Sequence, residues 1–83
     1  MLTLNPREWV VIADGMFQWP IRADDWADSP LTVAELRAID DPDAYAEWCI
    51  GLRIPEGLHV GSQECIDACH ALRDADALFI DIG

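Results

Sequence analysis

Trp9-Val10-Val11-Ile12-Ala13-Asp14-Gly15-Met16-Phe17-Gln18-Trp19-Pro20 is the stretch that decides the fold. Its first run is β-branched and aromatic, the side chains that fit a pleated, half-buried surface. Asp14-Gly15 then offers a two-residue turn between apolar flanks, a strong local hairpin signal. The pattern predicts strands over about 9–13 and 16–19, with Pro20 ending the second because proline cannot donate to a ladder. Upstream, Asn5-Pro6-Arg7-Glu8 has the residues of a helix start. The β-prone run follows it directly, so it reads as a short turn.

Outward from the hairpin the chain turns helical. Residues 22–28 form a polar connection with room for one helical turn at Ala23–Ala27. A helix opens next, at Ser29-Pro30 or at Thr32, and runs to about Ile39. In the second case Thr32 and Glu35 make a capping box, and Leu31 and Leu36 sit where a hydrophobic staple needs them. Asp41-Pro42 is a second cap-plus-proline start and Gly51 a stop, which predicts a helix over about 42–50. Leu52-Arg53-Ile54 and Leu58-His59-Val60 flank Pro55-Glu56-Gly57, a tight turn between two short extended pieces. Ser62 caps a last helix over about 63–74, and Ala77–Ile82 is apolar enough to close a sheet. The sum is a single small α+β domain of about three helices packed on a small, mostly antiparallel sheet.

Composition sharpens this. Hydrophobic residues make up 52% of the 83 residues and include four Trp, too many for a disordered acidic tail. No run of roughly 18 apolar residues exists, so no membrane span is expected. The first residues lack the basic start and apolar stretch of an export signal. Three Cys cannot all pair within one chain, and reduced thiols in the cytoplasm of a host cell are the expectation.

The residues that invite chemistry read as structure. Cys65, Ala68, Cys69 and Leu72 share one face of a helix at about 100° per residue, with Ile66 beside them. Tyr45, Trp48, Cys49 and Leu52 share a face of the helix before it. Buried Cys behaves as a small hydrophobe, and Cys65-x-x-x-Cys69-His70, even joined by Cys49 or His59, lacks the paired ligand spacing of structural zinc. Asp40-Asp41-Pro42-Asp43 lacks the alternation and distal Glu of a calcium loop. No nucleophile elbow, phosphate-cradling glycine loop or zinc-protease motif is present. The expectation is a non-enzymatic protein without metal or cofactor. Trp9 and Trp48 are expected in the core, and Trp26, set among acids, either covers the core's edge or anchors an interface.

Charge is what remains. Sixteen carboxylates face five Arg and no Lys, a formal net charge of -11. Residues 23–47 hold Asp24, Asp25, Asp28, Glu35, Asp40, Asp41, Asp43 and Glu47 against Arg37 alone. A second group, Glu64, Asp67 and Asp74, projects from the last helix away from its Cys face. This exceeds the magnitude of about 2–8 that keeps a small domain in solution. Asp outnumbers Glu, and its short side chain holds charge close to the backbone at a small entropy cost. Such a surface is repelled by nucleic acid and anionic lipid and attracted to cationic partners. Ordered carboxylates can also stand in for phosphates in a basic groove.

In size, acidity, absence of Lys and absence of catalytic motifs, the chain resembles the phage-encoded inhibitors of host defence, the anti-CRISPR proteins above all. The resemblance covers no aligned residue. It implies a DNA mimic that blocks a basic, nucleic-acid-binding surface of a partner protein or complex. Asp24, Asp25, Trp26, Asp28, Asp40, Asp41, Asp43, Glu47, Glu64, Asp67 and Asp74 are the candidate contacts, on a monomer or homodimer. The alternative is a non-enzymatic assembly adaptor of phage or bacterial origin.

Overall fold

The computed structural model describes residues 3–83. The hairpin is its centre: β1 (Trp9–Asp14) pairs antiparallel with β2 (Phe17–Arg22). The turn falls one residue later than Asp14-Gly15 suggests. Asp14 pairs with Phe17, which leaves Gly15 and Met16 as the loop. Gly15 takes φ 60° and Met16 keeps a negative φ, the arrangement of a II′ loop with glycine first.

Pro20 does not end the second strand, which continues to Arg22. The strand order is β2-β1-β3, so Pro20 lies on an edge, where a missing N–H is tolerated. Arg22 N, two residues on and so on the same outer side, donates to Arg53 O at 3.0 Å. β3 (Phe79–Asp81) joins the other side of β1, in parallel. The sheet is therefore mixed, with the antiparallel β1–β2 ladder the longer of the two. Parallel pairing needs a long crossover, and the helical middle of the chain supplies it.

Four helices form where about three are expected, because Ala23–Ala27 is a separate short helix, α1. Thr32, not Ser29, caps α2 (Val33–Arg37): its side chain accepts from Glu35 N at 3.2 Å, and Glu35 Oε1 accepts from Thr32 N at 3.1 Å. α2 stops at Arg37, short of Ile39. Asp41 caps α3 (Pro42–Ile50) through Asp43 N at 3.0 Å, and Ser62 caps α4 (Gln63–Asp74) through Cys65 N at 3.2 Å. Residues 52–54 and 58–60 are not strands. Two consecutive turns occupy this segment, closed by Leu58 N to Pro55 O and Ser62 N to His59 O, both 3.1 Å. Gly57, at φ 81°, supplies the left-handed residue the first turn requires.

β1 is buried on both faces, which splits the core into two. Val10 and Ile12 join Ile21, Ile80 and Ile82 beneath Leu36 of α2 and Trp48 of α3. Val11 faces the other way, onto Cys65, Cys69 and Leu72 of α4 with Leu58. Alternating side chains of a strand point to opposite faces, so α4 and the α2–α3 pair cover opposite faces of the sheet. The radius of gyration is 12.2 Å, as expected for a chain of this length. No helix among the described residues is long and apolar enough to cross a membrane.

Candidate partner-binding groove

Between the α1–α2 connection and α3 lies an open groove of about 410 Å³. Its floor is apolar: Pro30, Leu31, Trp48 and Leu52. Its rim is acidic: Asp25, Asp28 and Glu47. Two parts of the acidic stretch, more than fifteen residues apart in sequence, thus meet at one opening. Trp48 is the only buried residue of α3. Its indole Nε1 donates to Ser29 Oγ at 3.1 Å, and Ser29 Oγ in turn donates to Leu31 O at 3.2 Å. This chain of bonds ties the two walls together.

The three rim carboxylates are not equivalent. Asp25 accepts from Arg53 N at 2.7 Å and from the guanidinium at 2.9–3.2 Å. Those bonds hold its carboxyl below the usual 3.8 and raise the pKa of Arg53 in return. Asp25 is therefore a latch between α1 and residue 53, and its charge is matched. Asp28 and Glu47 are exposed, and their carboxylates have no hydrogen-bond or ion-pair partner among the described residues.

The other candidates fall elsewhere. Asp24 is 79% exposed and lies 4.0 Å from Arg22. Trp26 is half-buried against the α2–α3 core and covers its edge. Trp9 is half-buried as well, with the Arg22 guanidinium 5.3 Å from its ring centre. Asp40 and Asp41 line a second cleft of about 510 Å³ with Asp14, Arg37 and Tyr45. Tyr45 donates to Asp14 Oδ2 at 2.6 Å; burial first, then that carboxylate, push its pKa well up. Asp43 is exposed on the first turn of α3. Glu64, Asp67 and Asp74 are exposed on α4, across the sheet from the groove. They do not extend the same face. Asp67 also accepts from Gln63 Nε2 at 2.9 Å.

The thiols lie where helix periodicity puts them. Cys65 and Cys69 are fully buried. Burial, and then the neighbouring Cys65 thiol, push Cys69 up to about 12, so it stays protonated and is a poor nucleophile. Cys65 Sγ donates to Gln18 O at 3.4 Å. Cys49 is half-buried, and burial raises its pKa too. Among the described residues no group of three His, Cys, Asp or Glu side chains comes together as a metal site would require.

Two features of the groove had weaker signals in sequence. Trp48 reads as core, and it also forms the groove floor. The Asp25–Arg53 latch spans 28 positions; its one hint is that Arg53 is the only Arg between Arg37 and Arg73 in a chain without Lys. No protein-family model, no curated protein and no solved structure matches the chain, so the site stands on its own geometry.

Proposed function

We propose that this chain is a binding protein that occupies a cationic, nucleic-acid-binding surface of a partner protein, as a DNA mimic would. The observation that carries this reading is the charge imbalance of the folded surface. Of sixteen carboxylates, only Asp24 and Asp25 lie within ion-pair distance of a cation among the described residues. Self-repulsion of that kind works against the compact state, and a cationic partner relieves it. Residues 23–47 carry eight of the sixteen carboxylates, Asp24, Asp28, Asp40, Asp41, Asp43 and Glu47 among them, against Arg37 alone. An effector complex of CRISPR type is the partner class the resemblance implies, with inhibition as the outcome and no catalytic role for the chain itself.

The test is displacement. A partner captured on the immobilised protein should be released by duplex DNA at constant salt. Simultaneous occupancy of the partner by DNA and this protein refutes mimicry. An assembly adaptor is the second reading. A groove of about 350 Å³ lined by Trp19, Cys49, Ile50, Ile54 and Val60 favours it, with Ile50 85% exposed. Adaptor binding through that groove should be nearly independent of salt.

A further inference from the structure

Asp25, one of the residues lining the α1–α3 groove, takes the Arg53 guanidinium through both carboxylate oxygens, at 2.9–3.2 Å. Asp28 and Glu47 line the same groove, exposed and without a cation among the described residues. Leu31, Trp48 and Leu52 give it an apolar floor. An aliphatic stem with a charged, planar head matches this surface part by part.

We infer that the groove is a seat for one arginine side chain of a basic partner segment, its stem on Leu31 and Trp48 and its guanidinium between Asp28 and Glu47. This rests on the cationic-partner reading above and names the anchor within it. Arginine fits better than lysine for two reasons. The apolar floor suits the stem, and guanidinium is the more weakly hydrated cation. Its planar fork also pairs with carboxylates in the bidentate manner that Asp25 shows. The groove volume of about 410 Å³ lies in the range of about 300–1,000 Å³ typical of binding pockets. That is room for a side chain and its neighbouring peptide groups. The other apolar groove, under Ile50 and Val60, has no carboxylate in its lining and offers no such complement.

The probe is N-acetyl-arginine amide, titrated at constant ionic strength into the ¹⁵N-labelled chain, with N-acetyl-lysine amide in parallel. The four indole N–H signals are internal reporters, because Trp48 alone of the four Trp lines the groove. The expected result is a saturable shift of the Trp48 indole with a millimolar dissociation constant, at least about threefold tighter for the arginine probe. Asp28→Asn with Glu47→Gln should weaken it about three- to tenfold, whereas Glu64→Gln with Asp74→Asn on α4 should leave it unchanged. A linear, non-saturating shift, an equal response to the lysine probe, or indifference to the Asp28/Glu47 change overturns the inference. DNA displacement of a captured partner tests the broader reading separately. Displacement without a Trp48 response removes the arginine seat alone, and a Trp48 response without displacement removes the mimicry alone.

Discussion

Replacing Trp48 by Ala should detach the helix that carries Asp43 and Glu47. α3 has one buried residue, Trp48, at 7% exposure; Tyr45 and Cys49 are only partly covered beside it. Truncating a buried Trp to Ala costs about 3–5 kcal/mol. A domain of this length is stabilised by only about 4–12 kcal/mol in total, so Trp48→Ala should lose about a quarter or more of its stability and unfold at a much lower urea concentration. Trp48→Phe keeps most of the apolar contact and loses the indole N–H. Ser29 Oγ is not orphaned by that loss, because it still bonds Leu31 through O and N at 3.2 and 3.3 Å. The Phe variant should therefore lose only about 1–2 kcal/mol, a fall in Tm of roughly 5–15 °C. Urea titration followed by far-ultraviolet circular dichroism measures both. A Trp48→Ala protein within about 1 kcal/mol of the parent would show that α3 is held by something other than this ring, and the groove as described would not exist.

Three further outcomes are expected. Cys69→Ser should cost about 1–3 kcal/mol, since a hydroxyl would replace a thiol in apolar surroundings. In the native protein at pH 8, Cys65 and Cys69 should resist a thiol reagent that labels all three Cys in urea; rapid native labelling of Cys69 would contradict its burial. For pH, the sign follows from Asp25, whose folded-state pKa lies below 3.8. Its contribution is present above that value and lost as pH falls through the lower, folded one. The stability gap between the parent and Asp25→Asn should thus stay level from pH 7 to about pH 5 and close below about pH 3.8. A gap that closes between pH 7 and pH 5 would show that the latch is not ionic.

What the sequence makes legible is local. The hairpin, the Thr32–Glu35 capping box, the Asp41-Pro42 start and the Ser62 cap each rest on residues within four positions of one another. All four form. What it hides depends on contacts far along the chain. Pro20 is tolerated because β3 takes the other side of β1 and leaves β2 as an edge. The parallel alignment of β3 follows from the crossover, not from any feature of Phe79–Asp81. The site divides in the same way. That residues 24–47 are acidic is plain from the sequence. That Asp25 is neutralised by Arg53, that Asp28 and Glu47 share a rim, and that the α4 acids lie across the sheet are matters of packing.

The central claim is that free carboxylates on the α1–α3 flank bind a cationic surface. Asp43→Lys combined with Glu47→Lys tests it most directly, because both side chains are exposed and neither caps a helix through its side chain. With folding verified by circular dichroism, affinity for the captured partner is measured from low to high salt. The account predicts weaker binding and a shallower salt dependence in the folded double variant than in the parent. Unchanged affinity with an unchanged salt slope would reduce this flank to a solvated surface.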